Sequence, residues 1–147
     1  GHLASARRGR ALNLYLDASV LVAMFTQEAD SLRARQGLLG ATLFVSDFAA
    51  AELSAAISRR IRIGDIPSVD ALGIISAFDS WTSQSTTNVA LAPSDGAATI
   101  ALVRRFDLSL RSPDALHIAI ARRLGATLFS FDVKMNSAAR ALGVAVL

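Results

Sequence analysis

Apolar residues along this chain fall into short continuous runs separated by longer stretches with helical spacing. Four of the runs, residues 13–16, 42–45, 88–91 and 127–131, are mostly apolar and short, which is typical of β-strands buried on both faces. A further short strand is predicted at residues 144–147. The pattern therefore predicts a sheet whose strands are scattered over the whole length of the chain.

The stretches between these runs repeat their apolar residues every three or four positions, which predicts amphipathic helices. Ser46, Ser94 and Ser112 are predicted N-caps, and Gly125 follows the end of one helix. The predicted helices cover residues 20–25, 28–39, 47–63, 68–83, 95–106, 113–124 and 133–142.

Strands and helices thus alternate, which predicts an α/β fold: an α/β/α sandwich around a mostly parallel central sheet, with right-handed crossovers. No repeat or linker interrupts the pattern, so residues 3–147 are expected to form one domain. Gly1 and His2 resemble the remnant of an expression tag and are left outside that domain.

Composition excludes several other classes of protein. Hydrophobic residues make up 52% of the 147 residues and the mean hydropathy is +0.43, so intrinsic disorder is not expected. No apolar run approaches the roughly 18–20 residues of a membrane span, and no secretory signal is visible. Cysteine is absent, which removes disulfides and thiolate metal sites. We therefore expect a cytoplasmic protein that does not associate with membranes.

Charge permits a nucleic-acid partner without requiring one. The net charge is +3, the isoelectric point is about 10.5, and Lys134 is the only lysine among 15 basic residues. Most arginine pairs fall near helix C-termini, where a favourable interaction with the helix dipole explains them. Arg111, just before a predicted helix, is the best candidate for contact with an RNA substrate.

Four acidic residues are expected to meet at one edge of the sheet. Asp17 and Asp132 each follow a predicted strand directly, Glu52 lies about two turns into a helix, and Asp114 lies in the first turn of another. Ligands of open parallel sheets bind beyond the carboxyl ends of the strands. Individually, Asp17 could serve only as a helix cap and Asp114 only as a favourable charge at a helix N-terminus.

All four acids have apolar neighbours in the sequence, and clustered carboxylates repel one another unless a cation neutralises them. Mg²⁺ or Mn²⁺ is the cation that suits a site made of oxygen ligands. His117 follows Asp114 by one helical turn, but we expect it to be packed or hydrogen-bonded rather than a ligand. The sequence therefore predicts a metal pocket built from carboxylates.

Four segments of the chain resemble the motifs of a known family. The segments that carry the likeness are LYLDAS, VSDFAAAEL, LRSPDALHIAIA and LFSFDVKMNSAARALGV, which resemble, in order, the motifs of PIN-domain ribonucleases and in particular the VapC-type toxins of bacterial toxin–antitoxin pairs. The likeness extends from residue 14 to residue 146. It implies that Asp17, Glu52, Asp114 and Asp132 hold one or two Mg²⁺ or Mn²⁺ ions. Ser130, where many members have threonine, and Ser19 would be the supporting hydroxyls.

The resemblance implies an endoribonuclease toxin that hydrolyses RNA phosphodiester bonds, forms a homodimer and is silenced by a cognate antitoxin. Asp17 and Asp114 would be direct metal ligands, Glu52 a ligand or the group that orients water, and Asp132 a more distant anchor. The alternative is a non-catalytic PIN domain that binds RNA or a protein partner. A phosphatase with an aspartyl-phosphate intermediate is disfavoured, because that chemistry usually pairs the nucleophile with a second aspartate where this chain has Ser19.

Overall fold

The computed structural model describes residues 12–147. Within them, four parallel strands form a sheet in the order β3-β2-β1-β4. The strands are β1 (Asn13–Leu16), β2 (Thr42–Ser46), β3 (Thr87–Val89) and β4 (Thr127–Phe129). The helices are α1 (Ala18–Phe25), α2 (Ser31–Gly37), α3 (Asp47–Arg62), α4 (Ser68–Ser85), α5 (Pro93–Val103), α6 (Ser112–Leu124) and α7 (Val133–Ala141).

The two faces of the sheet carry separate hydrophobic cores. Leu14 and Leu16 point to one face and Tyr15 to the other, and all three side chains are fully buried. Helices α1 to α4 cover the face of Leu14 and Leu16, whereas α5 to α7 cover the face of Tyr15. Burial on both faces explains why the strands are continuously apolar, and it confirms the predicted α/β/α sandwich around a parallel sheet.

Strand register brings distant segments together at the carboxyl edge of the sheet. β1 lies between β2 and β4, and Leu16 pairs with Phe129. Asp17 and Ser130 each come one residue later, so they are neighbours although they are far apart in sequence. The fold thereby fixes the position around which the acidic residues gather.

Two predicted helix caps are wrong. Helix α6 begins at Ser112 rather than after it, because the Ala115 N–H donates to the carbonyl of Arg111 at 3.0 Å and makes Arg111 the N-cap residue. Helix α5 begins at Pro93, so Ser94 lies inside it. There the carboxylate of Asp95 accepts from the backbone N–H of Ala92 at 2.8 Å. In contrast, Ser46 does cap α3, accepting from the Ala49 N–H at 3.0 Å.

The end of the chain pairs less extensively than predicted. Instead of a full strand at residues 144–147, one parallel bridge joins Leu128 to Val146. β4 also ends at Phe129, two residues earlier than expected, because Ser130 and Phe131 turn toward Asp17 and Ser19. No helix among residues 12–147 has both the length and the apolar character needed to span a membrane.

Candidate active site

Asp17 is the most buried of the four acids, with 3% of its surface exposed. It follows β1 directly and caps α1, because its Oδ1 accepts from the Val20 N–H at 3.2 Å. The prediction that it could be a helix cap is therefore confirmed. The cap uses Oδ1 alone and leaves Oδ2 outside the helix, so this role and a role in a metal site are compatible.

Two serine hydroxyls fix the Asp17 carboxylate from opposite sides. Ser19 donates to Oδ1 and Ser130 donates to Oδ2, each at 2.6 Å. Each hydroxyl is held in turn by a backbone N–H, that of Phe131 for Ser19 at 3.0 Å and that of Asp132 for Ser130 at 2.9 Å. The two predicted supporting serines therefore join the ends of β1 and β4.

Burial raises the pKa of the Asp17 carboxyl above its ordinary value. The hydrogen bonds from Ser130 and Ser19 lower this pKa, but they do not fully reverse the effect of burial. The charged carboxylate is therefore held in a place where it is poorly solvated, which is a common property of functional sites.

Glu52 lies on α3 and is tied to the opposite core by a histidine. The Nε2 atom of His117 forms a short hydrogen bond with Oε1 of Glu52, whose side chain is 30% exposed. The Nδ1 atom of His117 is 2.7 Å from the hydroxyl of Tyr15, which lies 2.8 Å from the hydroxyl of Ser46. His117 is therefore a buried, hydrogen-bonded residue, in agreement with the sequence-based expectation.

Asp114 and Asp132 stand close enough to influence each other electrostatically. Burial and then the negative charge of Asp132 raise the pKa of Asp114, and the charge of Glu52 also raises it, whereas the positive charge of Arg111 lowers it. Asp132 is the N-cap of α7, where its Oδ1 accepts from the Met135 N–H at 3.0 Å. The negative charges of two other predicted acids, Asp132 and Glu52, therefore act on Asp114.

An open groove of about 550 Å³ runs beside these acids. Its lining comes from α1, α3 and the segments that follow α1 and β4. The residues are Ala18, Ser19, Val22, Glu28, Asp30, Glu52, Ala56, Phe131 and Asp132. Glu52 and Asp132 line this groove, whereas Asp17 and Asp114 do not; the Asp17 carboxylate reaches it only through its hydrogen bond with Ser19.

The donors suit a hard divalent cation, although they do not form a complete ligand set. All four acids offer oxygen, and positive charge at this place would offset the burial of Asp17 and the repulsion felt by Asp114. Within residues 12–147, however, no three acidic, histidine or cysteine side chains are positioned to hold one ion together. Oε1 of Glu52 is engaged by His117, which leaves the other oxygen of this carboxylate to face an ion.

Sequence reasoning missed two acids and the histidine link. Glu28 and Asp30 line the same groove, but they belong to the segment between α1 and α2 and follow no strand, so no pattern marked them. The contact of His117 with Glu52 joins residues 65 positions apart, and nothing in the spacing of either helix predicts it.

Comparison with known proteins gives one family and a set of structural relatives. The sequence pattern of the PIN domain family matches residues 14–141. No curated protein matches the sequence.

Among solved structures, VapC20 of Mycobacterium tuberculosis, a Sarcin-Ricin loop cleaving toxin, is 18% identical with a TM-score of 0.68 and covers 85% of this chain and 94% of its own. VapBC2 from Rickettsia felis, bound to a DNA fragment from its promoter, is 18% identical with a TM-score of 0.69, covering 92% of this chain and 98% of its own. A toxin–antitoxin complex from Klebsiella pneumoniae is 14% identical with a TM-score of 0.64. The match covers 84% of this chain and 90% of the chain in that complex. At these identities the likeness shows a shared fold.

Proposed function

The chain belongs to the PIN domain family, and on that premise we propose that it is a Mg²⁺- or Mn²⁺-dependent endoribonuclease that acts as the toxin of a toxin–antitoxin pair. The observation that carries the proposal is the Asp17 carboxylate. It is buried, its pKa is raised by that burial, and two serine hydroxyls hold it beside a groove lined by further acids. A carboxylate with no other role than capping a helix would gain nothing from such burial.

Each of the four acids has a different proposed role. Asp17 and Asp114 are the proposed direct ligands, Glu52 ligates or orients water, and Asp132 anchors the site from the start of α7. A bound Mg²⁺ or Mn²⁺ would supply positive charge to the oxygens of the phosphodiester as negative charge develops on them. Ser19 and Ser130 keep the Asp17 carboxylate in one orientation through their own backbone hydrogen bonds.

RNA is the proposed substrate, and Arg111 is the proposed contact with its phosphates. Arg111 is exposed at the N-cap position of α6, one turn before the pocket, and its charge already acts on Asp114. Arg60, by comparison, is paired with Glu28 at 3.2 Å and is less available to phosphate. VapC20, a structural relative, is a toxin that cleaves the Sarcin-Ricin loop, which supports an RNA substrate.

A protein partner is the second part of the proposal. The structural relatives include a toxin–antitoxin complex, and an antitoxin that places a cation over the open acidic groove would silence it. An apolar cleft of about 420 Å³ between α3 and α4, next to the exposed Leu72, supports a partner that also buries apolar surface. The active form is proposed to be a homodimer.

The alternative is a non-catalytic PIN domain that binds RNA or protein. It is favoured by one observation, the lack of three ready-placed metal ligands within residues 12–147.

Incubation of the purified protein with mixed RNAs in Mg²⁺, Mn²⁺ or EDTA separates the two readings. Asp17→Asn removes the charge of the proposed ligand, and Asp79→Asn is the matched control, because Asp79 is an exposed aspartate on α4 outside the groove. We expect metal-dependent cleavage by the wild type and by the control, with a loss of at least about 100-fold in Asp17→Asn. Cleavage that persists in EDTA and in Asp17→Asn would refute the nuclease assignment, and RNA binding without cleavage would establish the alternative.

A further inference from the structure

We propose that His117 is a positioning residue that holds the Glu52 carboxylate in the acidic pocket, through a chain of hydrogen bonds whose direction is set by Ser46 and Tyr15. The inference rests on the proposed function, since Glu52 is one of the acids assigned there. It adds a residue that neither holds metal nor touches RNA but decides where Glu52 points.

Four side chains from four elements form the hydrogen-bond chain. Ser46 ends β2, Tyr15 belongs to β1, His117 to α6 and Glu52 to α3. Their contacts run from the Ser46 hydroxyl to Tyr15 at 2.8 Å, from Tyr15 to Nδ1 of His117 at 2.7 Å, and from Nε2 to Oε1 of Glu52. Ser46 and Tyr15 are fully buried and His117 is 2% exposed, so water cannot replace these contacts.

The helix cap fixes the direction of the chain. Ser46 Oγ already accepts from the Ala49 N–H, so its own hydrogen is left to donate, and the oxygen of Tyr15 is the acceptor beside it. The Tyr15 hydroxyl then donates to Nδ1 of His117. His117 must therefore carry its hydrogen on Nε2, where it donates to the Glu52 carboxylate.

The opposite direction leaves a buried donor unsatisfied. If Nδ1 carried the hydrogen, Tyr15 would accept from it and donate to Ser46, whose hydroxyl hydrogen would then have no acceptor among residues 12–147. Leaving a buried hydroxyl unpaired costs about 1–3 kcal/mol. A bare Nε2 would also face a carboxylate without a hydrogen between them. Only the direction from Ser46 to Glu52 satisfies every group.

This arrangement couples two of the proposed acidic residues, Asp114 and Glu52. His117 lies one turn after Asp114 on α6, so the helix that carries Asp114 also holds Glu52 of α3. Glutamate side chains have several rotamers, and one strong hydrogen bond from a buried donor selects among them. Groups that orient metal ligands in this way typically contribute about 10–100-fold to metal affinity or activity when they are removed.

The hydrogen position can be read without any activity measurement. The chain contains two histidines, His2 and His117, so ¹⁵N-histidine labelling gives two imidazole spectra, and His2→Ala assigns them. For the neutral ring of His117 we expect the hydrogen on Nε2 and none on Nδ1. A hydrogen on Nδ1, alone or together with one on Nε2, would overturn the proposed direction.

The effect on Glu52 is tested by Mn²⁺ affinity, measured by electron paramagnetic resonance on the folded protein. We expect His117→Leu to weaken Mn²⁺ binding by about 10–100-fold, whereas His117→Gln, whose amide can donate near the place of Nε2, recovers part of the loss. Ile118→Val is the matched control, since it removes one buried methylene from the next residue of α6 without touching Glu52.

A double-mutant cycle with Glu52→Gln decides whether His117 acts through Glu52. We expect His117→Leu to cause no further loss of Mn²⁺ affinity in the Glu52→Gln background. If the losses of Mn²⁺ affinity in His117→Leu and Glu52→Gln are fully additive, His117 does not act through Glu52. An equal loss of affinity in Ile118→Val would likewise show that His117 has only a structural role. If the wild type binds no Mn²⁺, the proposed function fails, and the ¹⁵N spectrum still decides the hydrogen bond on its own.

Discussion

At the Asp17 carboxylate, burial opposes the charge that the proposed chemistry requires. The folded-state pKa of Asp17 is raised by burial, and the hydrogen bonds from Ser130 and Ser19 compensate only in part. A raised pKa means that the folded protein binds this proton more tightly than the unfolded chain does. The contribution of Asp17 to stability is therefore present at low pH and is lost as the pH rises through its folded-state pKa.

Asp17→Asn should consequently stabilise the metal-free protein at neutral pH while it abolishes function. We expect a gain on the order of 1–2 kcal/mol in the free energy of unfolding at pH 7, because the buried charge is removed. The gain should shrink as the pH falls toward the ordinary pKa of aspartate. Urea unfolding in EDTA from pH 3.5 to pH 8 measures the difference in free energy of unfolding between the variant and the wild type. If Asp17→Asn is less stable than the wild type at pH 7, the buried charge of Asp17 does not destabilise the fold.

Arg111 is the residue at which an electrostatic contact with RNA can be isolated. Arg111→Gln should raise the KM for RNA by a factor of about 3–10 and reduce the slope of log KM against log salt by about 0.7, the value for one phosphate contact with a single strand. Arg122→Gln is the control, since it removes an exposed arginine from the far end of the same helix. If both substitutions change the KM and its salt dependence equally, the effects come from net charge and not from a contact of Arg111 with RNA.

The same substitution has a predicted pH signature. Arg111 lowers the pKa of Asp114, so its removal should raise that pKa. If activity requires ionised Asp114, the acidic limb of the pH profile moves to higher pH in Arg111→Gln and stays in place in Arg122→Gln.

Among the elements, α5 and α6 are joined by an ion pair between the buried Asp95 and the partly exposed Arg123. Arg123 donates through Nε and a terminal nitrogen to the two oxygens of Asp95, at 2.7 and 2.9 Å, and the Asp95 side chain is 3% exposed. The hydrogen bond from Arg123 is the main cause of the lowered pKa of Asp95. Asp95 also accepts from the start of its own helix, so one carboxylate serves as cap and as link between helices.

Asp95→Asn should therefore destabilise the fold by about 2–3 kcal/mol at pH 7, since a charged, two-bond contact is lost. Because the folded-state pKa is lowered, this stability is fully present above the ordinary pKa of aspartate and disappears as the pH falls through the folded-state value. Thermal unfolding between pH 2.5 and pH 7 checks both points. Asp107→Asn, which breaks the exposed pair with Arg105, should change little.

Helix α2 approaches β4 so closely that its last residue has no room for a side chain. A Cβ added at Gly37 would lie 2.5 Å from a ring carbon of Phe129. Gly37→Ala is therefore expected to cost about 1–3 kcal/mol through overpacking. Gly96→Ala, inside α5 with nothing within 4 Å of the new Cβ, should instead stabilise by about 0.5–1 kcal/mol. Denaturant midpoints of the two variants should move in opposite directions.

For the whole molecule, the sandwich could be predicted because each strand is buried on both faces and so leaves an apolar run in the sequence. Asp17 and Asp132 could be singled out because they follow strands, where parallel sheets place their sites. The predicted cap at Ser112 is wrong because the first helical hydrogen bond, from the Ala115 N–H to the Arg111 carbonyl, starts one residue earlier than the sequence pattern indicates. The hydrogen bond between Tyr15 and His117 could not be predicted from the sequence. It joins residues 102 positions apart and depends on how α6 packs on the sheet.

The position of Asp17 and its supports in the chain has a consequence for biosynthesis. The hydrogen bond between Ser130 and Asp17 joins residues 113 positions apart, and the chain leaves the ribosome from its N-terminal end. A growing chain therefore carries Asp17 and Ser19 long before Ser130, the second hydroxyl that orients Asp17, has been made. For a protein proposed to cut RNA, this order of synthesis delays assembly of the complete site until residue 132 has left the exit tunnel.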